Sequence, residues 1–262
     1  MAIRQGFTVE YGHDPESALS FAADRGFDYV ELNMDAAFER SRLDPASVRA
    51  SLADADVDAV VHLPYRVDPG SVHAPVREGA CRELEASIDA ALAAGADRGV
   101  MHATSMAHPA KFDGPEVRDL IYESVRRIDD YAVDRGFSLV VENVKGPFFD
   151  AGDFPELFER TDAAACLDTG HALVSGYDLA WQADLLREHG DRIDHVHLNT
   201  RRGESGDDEH LPVGIGDRPF GDVAAAMRET DWSGTCTHEV FGLDYEFVAL
   251  GKRRFDGWLA GD

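Results

Sequence analysis

Short apolar runs alternate along the chain with longer amphipathic stretches, and the spacing predicts strands at Gln5–Val9, Phe27–Leu32, Ala59–Leu63, Gly99–Ala103, Ser138–Val141, Ala163–Leu167, Ile193–Leu198 and Gly234–Val240. Between them, helices are expected over Pro15–Arg25, from Pro45, over Pro75–Ala94 and over Pro115–Arg135. Later ones are expected from about Asp178 to Glu188, near Phe220–Glu229 and over Asp244–Leu259. Asp14 and Asp44 precede a proline at helix starts, where a carboxylate accepts from orphan N–H groups and proline loses nothing. Gly26, Gly95 and Gly136 close helices. Strict alternation implies a parallel sheet, and eight strands in this length imply an α/β fold, a single (β/α)8 TIM barrel over residues 1–262. The repeat of Asp24-Arg25-Gly26-Phe27 at Asp134-Arg135-Gly136-Phe137 reads equally as recurring helix-stop chemistry or as half-barrel duplication.

At 262 residues and 44% hydrophobic, the chain can bury one large core. Met1–Gly12 lacks a basic segment followed by an apolar one and no run approaches a membrane span, so a cytoplasmic location is expected. Cys81, Cys166 and Cys236 are odd in number and sit in apolar contexts, as reduced core thiols do. The formal charge of −25 with only Lys111, Lys145 and Lys252 as lysines describes a solvated acidic surface of halophilic type, from which a salt-loving source is expected. That charge argues against a broad phosphate-binding face.

Candidate chemistry gathers at the strand ends. In a closed barrel these converge on one mouth, and here they carry Glu31, His62, His102, Glu142, Asp168, His197 and Glu239. His171 follows Asp168 in the same turn, and Asp208 and His210 lie in the long polar loop Asn199–Asp217. Alternate residues of an extended segment share a face, so Asp208 and His210 are expected to grip one ion together. His195 and His238 read as packing or surface residues. So many carboxylates and imidazoles at one mouth repel or desolvate one another unless positive charge sits among them. A divalent metal supplies it, and thiolate-free His and carboxylate ligation suits Zn, Mn, Co or Fe. Gly214-Ile215-Gly216 lacks the lysine and flanking elements of a phosphate loop, and no Gly-x-Ser-x-Gly elbow occurs.

Nearly the whole chain resembles the xylose isomerase-like TIM-barrel superfamily, which includes endonuclease IV. The resemblance rests on Val61-His62-Leu63-Pro64-Tyr65, Glu142-Asn143, Leu167-Asp168-Thr169-Gly170-His171, His195-Val196-His197-Leu198-Asn199 and Asp208-Glu209-His210-Leu211-Pro212-Val213-Gly214. It implies two competing activities. The leading expectation is a sugar, sugar phosphate or sugar acid isomerase or epimerase holding one divalent metal (Mn, Co, Mg or Zn) on Glu142, Asp168, His197 and Glu239. Glu142 and Glu239 would exchange protons and His171 would orient a substrate oxygen. Glu31, Tyr65, Arg201 and Arg202 are the expected substrate contacts, the arginines for a phosphate or carboxylate.

The rival expectation is an abasic-site endonuclease with three zinc ions and DNA as partner. By resemblance, His62, His102 and Glu142 would hold the first ion. Glu142, Asp168, His197 and Glu239 would hold the second, and His171, Asp208 and His210 the third. The acidic segment Glu31-Leu32-Asn33-Met34-Asp35, the compact length and the charge favour the isomerase. A noncatalytic sugar-binding barrel is a third class. No membrane partner is expected, and a homo-oligomer is compatible with such barrels.

Overall fold

The computed structural model describes residues 3–9, 14–35, 37–203, 206–215, 220–242 and 244–261. Eight parallel strands close into a barrel in sequence order, β1 (Arg4–Val9), β2 (Tyr29–Asn33), β3 (Asp58–His62), β4 (Arg98–His102), β5 (Ser138–Glu142), β6 (Ala164–Asp168), β7 (Ile193–Leu198) and β8 (Thr235–His238), with β8 pairing back onto β1. Helices connect them: α1 (Pro15–Arg25), α2 (Pro45–Ala55), α3 (Ala74–Ala94), α4 (Gly114–Val133), α5 (Phe154–Arg160), α6 (Thr169–Val174), α7 (Leu179–His189), α8 (Gly221–Glu229) and α9 (Tyr245–Ala260). This is the expected single TIM barrel.

Local chemistry starts and stops these elements as the sequence implies. Asp14 accepts from Ser17 N, Asp44 from Ala46 and Ser47 N, and Asp244 from Glu246 N. Gly26 and Gly136 both take left-handed φ, at 68° and 71°, so the recurring Asp-Arg-Gly-Phe is a helix stop at each place. Two helices escaped the periodicity. α5 spans 7 residues and α6 only 6, below the length at which a helical repeat registers. The chain after Asp168, expected as a turn, is therefore the first turn of α6.

The main core lies between the strands' outer faces and the helices, with Phe7, Ile88, Ile121, Phe154 and Phe255 fully buried. Inside the barrel a separate small cluster, Val100, Val140 and Cys166, fills the layer beneath the mouth. Tyr29 closes the base of the interior, and it fits because Gly6 has no side chain; a Cβ there would lie 2.4 Å from the tyrosine ring. Cys81, Cys166 and Cys236 are free and buried. Among the described residues no helix is long and apolar enough to cross a membrane. Gly216 and Asp217 lie outside the described residues.

Candidate metal centre at the carboxyl ends of the strands

Strand register sets the site. Neighbouring strands pair Asn33 with His62, His102 with Glu142, and Asp168 with His197, so residues far apart in sequence share one level of the barrel. Their alternation with Val60, Val100, Val140 and Cys166 turns them inward, above the apolar layer.

Glu142 is the hub and is fully buried. His62 Nε2 and His102 Nε2 approach its Oε2 at 3.2 and 2.9 Å, while His171 Nδ1 and His197 Nδ1 both lie 3.3 Å from its Oε1. Both oxygens are thus enclosed by imidazoles. His197 Nδ1 is also 3.3 Å from Glu239 Oε2 and 3.8 Å from Asp168 Oδ2. His171 Nε2 meets Asp208 Oδ2 at 3.1 Å, His210 Nδ1 meets Asp208 Oδ1 at 3.2 Å, and His210 Nε2 meets Glu239 Oε2 at 3.3 Å.

The nine positions therefore form three adjoining groups with potential ligand atoms close enough to share an ion. These are His62, His102 and Glu142; Glu142, Asp168, His197 and Glu239; and Asp168, His171 and His210, with Asp208 touching both histidines of the last. Asp208 and His210 meet for a reason other than the expected one. His210 has φ 45°, so the segment turns instead of running extended, and an antiparallel bridge between Thr200 and Leu211 pins the loop over the mouth.

A supporting layer fixes these side chains. Asp168 caps α6, its Oδ1 accepting from His171 N at 2.6 Å, while Oδ2 accepts from Asn199 Nδ2 at 2.6 Å. Asn143 ties β5 to β6 by accepting from Asp168 N and donating to Asp168 O. Thr169 Oγ1 contacts the carbonyl oxygens of His197 and Asn199. These three sit inside the conspicuous motifs but carry no strand-end signal of their own.

Electrostatics show how the donor set is balanced. Burial pushes His62 down, but Glu142 beside it outweighs that and holds the imidazole up at about 9. His210 is likewise raised to about 9, against burial, by Glu239 and Asp168. His102, with burial dominant, is lowered. Burial raises Asp168 to about 7, with Glu239 and Glu142 adding to it against the opposing pull of His171 and His210. Burial also pushes Glu142 and Glu239 up, but surrounding imidazoles hold both well below the usual carboxylate range. Protons on imidazoles thus supply the positive charge that the carboxylates require, and cations can replace those protons. The donor chemistry fits divalent metal.

The mouth opens into a cavity of about 360 Å³ lined by Asn33, His62, Tyr65, His102, Lys145, Asp208, Glu239 and Phe241 among others. Tyr65 sits at the lip beside His62 and His102, its N–H held by Asp35 Oδ2 at 2.6 Å. Phe241 stacks on His210, and Lys145 Nζ is 3.2 Å from Asp208 Oδ2. Sequence reasoning missed Lys145 and Phe241 because both follow a strand end instead of forming one.

Three expected substrate contacts lie elsewhere. Glu31 is fully buried below the mouth, on His195, His197 and Thr237. Arg201 is buried against the carbonyls of Leu173 and Gly203, and Arg202 is exposed and paired with Glu209. The loop turns back after β7, so neither arginine lines the cavity. His195 and His238 are both buried and neither lies on the surface, His238 bonded to Gln5 outside the barrel and His195 inside it, between Thr235 and Glu31.

Residues 19–257 match the family model described as xylose isomerase-like TIM barrel. The chain belongs to that family. Within the xylose isomerase-like family, it is 26% identical over 226 residues to "Probable endonuclease 4" of Mycobacterium marinum, covering 83% of this chain and 87% of that protein. It is 25% identical over 245 residues to "L-ribulose 3-epimerase" of Methylomonas sp., covering 87% and 78%. A solved D-tagatose 3-epimerase-like protein superposes with a TM-score of 0.81 at 22% identity, over 98% of this chain and 97% of that one, a likeness of fold.

Proposed function

We propose that this protein is a metal-dependent phosphodiesterase that cuts DNA at abasic sites, the second of the two activities implied by its motifs. The observation that carries the reading is the enclosure of Glu142. A proton-transferring glutamate must present an oxygen to substrate carbon, and both oxygens of Glu142 are occupied by four imidazoles. That placement suits a carboxylate shared between two ligand groups.

His62, His102 and Glu142 would hold one ion, Glu142, Asp168, His197 and Glu239 a second, and His171, Asp208 and His210 a third. Bound there, divalent cations supply the positive charge that offsets charge on the attacking and leaving oxygens of a phosphodiester. The chain's own residues shape the rest. Glu239 and Asp208 present carboxylate oxygens to the cavity, Lys145 offers an ammonium to a substrate anion at its rim, and Tyr65 and Phe241 wall it. The acidic surface repels DNA at low ionic strength, and this repulsion fades at about 1 M salt, where the screening length is about 3 Å.

Sugar epimerisation is the second reading. It is favoured by Glu239, which faces a cavity of about 360 Å³ between two aromatic walls, a volume suited to a monosaccharide. Metal analysis separates the two: about three zinc ions per chain supports the nuclease, and one supports the epimerase.

A further inference from the structure

The described residues hold one extended polar network that the proposed chemistry does not use. It runs down the inside of the barrel from His197 to the opposite end. His197 Nε2 lies 3.3 Å from Glu31 Oε2, and the same oxygen lies 3.3 Å from His195 Nε2 and 2.7 Å from Thr237 Oγ1. His195 Nδ1 is 2.6 Å from Thr235 Oγ1, and Arg98 Nη1 reaches that hydroxyl and Asp194 O, each at 2.8 Å. Arg98 lines a second cavity, of about 380 Å³, with Arg4, Tyr29, Asp58 and Asp97 at the amino ends of the strands.

The direction of these bonds is fixed from the far end. A guanidinium has no acceptor, so Arg98 donates to Thr235 Oγ1. The threonine hydroxyl then donates to His195 Nδ1 at 2.6 Å in preference to Asp194 O at 3.4 Å. His195 Nδ1 accepts, so its Nε2 carries the hydrogen and donates to Glu31, sharing it with Thr237 Oγ1 at 3.1 Å. Thr237 donates to Glu31 as well, its oxygen accepting from Tyr29 Oη at 3.0 Å. Three donors, from His195, His197 and Thr237, converge on one carboxylate oxygen inside the barrel.

We propose that Glu31 is a positioning residue that holds His197 with its hydrogen on Nε2 and its Nδ1 lone pair toward Glu142, Asp168 and Glu239, and that Arg98 sets this direction through Thr235 and His195. Glu31 thereby makes His197 a stronger ligand for the central cation, so the inference rests on the metal reading above. A carboxylate behind a ligating imidazole orients the ring and raises its basicity, and removing it costs about 10- to 100-fold in metal affinity. Neither Arg98 nor Thr235 lies among the nine metal-type residues, which makes a loss at the mouth on changing them specific to the chain of bonds.

Zinc affinity, measured by chelator competition, tests this in the wild-type protein and in Glu31→Gln, Thr235→Val, Arg98→Met and Arg98→Lys, with circular dichroism and thermal unfolding to confirm folding. Glu31→Gln is expected to weaken the tightest site by about 10- to 100-fold. Thr235→Val and Arg98→Met are expected to weaken it in the same direction, and Arg98→Lys, which still only donates, to retain wild-type affinity. The d–d bands of the cobalt-loaded protein should shift in the three weakened variants. If Glu31→Gln does not fold, Thr235→Val carries the test. Wild-type affinity in folded Glu31→Gln, or in both Thr235→Val and Arg98→Met, overturns the proposal. Wild-type protein that takes up no zinc contradicts the metal reading itself, and this inference falls with it.

Discussion

His102 Nε2 lies 2.9 Å from Glu142 Oε2 at the centre of the barrel mouth. With His62 on the same oxygen and His171 and His197 on the other, Glu142 is common to two of the three candidate ligand groups, as Asp168 is, and it alone is enclosed by four imidazoles. Glu142→Gln keeps the shape but removes the charge that offsets the imidazoles. Metal content should fall by the ions that share this residue, and metal-dependent activity by more than about 100-fold, since loss of a direct ligand exceeds the effect of an outer partner. Elemental analysis of the purified variant beside an activity assay checks both.

The metal-free protein has a defined pH response. His62 and His210 are raised to about 9 from an ordinary 6.5, so their stabilising contribution is complete below about pH 6.5 and is lost as pH rises through 9. Asp168, raised to about 7 by burial, acts in the same direction, costing stability as it ionises above its ordinary value of 3.8. Glu142 and Glu239, held below the usual range, lose their contribution at the acid end. Thermal midpoints in chelator should therefore be highest in mildly acidic buffer and fall toward pH 9. Zinc should reverse the alkaline fall, because imidazole protons leave as metal binds.

Gly170 is required by space and not by backbone angle. A Cβ there would lie 1.7 Å from Asn199 Oδ1, and Asn199 is the donor that holds Asp168 Oδ2. Gly170→Ala should cost about 1–3 kcal/mol by displacing a buried hydrogen-bonded amide, and weaken metal binding with it. Urea denaturation and metal titration of the same variant measure the two losses together.

The two arginines after β7 separate structure from surface. Arg201→Ala removes donors from buried carbonyls and should destabilise by roughly 1–3 kcal/mol, whereas Arg202→Ala breaks a solvent-screened exposed pair and should leave stability nearly unchanged. Neither change should raise KM per folded molecule. A selective rise in KM for Arg202→Ala would show that this side chain reaches substrate after all.

The barrel and the charged side chains on its strand ends could be read from the chain because each depends on short-range signals: an aspartate before Pro15 or Pro45, a glycine after a helix, a charged residue ending an apolar run. Closure of the barrel then does the long-range work, bringing His62 and Glu239 to one mouth without any local cue. What escaped depends on side-chain direction and loop path. Glu31 ends the same kind of run as Glu142, but it lies below the mouth, where His195 and Thr237 wait for it. Arg201 looks like an anion receptor until the Thr200 to Leu211 bridge folds its loop back. The left-handed turn at His210 has no glycine to announce it.

The central claim, hydrolysis of a phosphodiester by the ligand groups built around Glu142, is tested most directly with a labelled duplex carrying one abasic site, incubated with zinc-loaded protein from low salt to about 1 M, where repulsion from the acidic surface is screened. Strand scission at the abasic site by the wild-type protein, absent with Glu142→Gln and on undamaged duplex, is the expected result. An intact duplex at every salt concentration, with the same preparation epimerising a ketose, would contradict it.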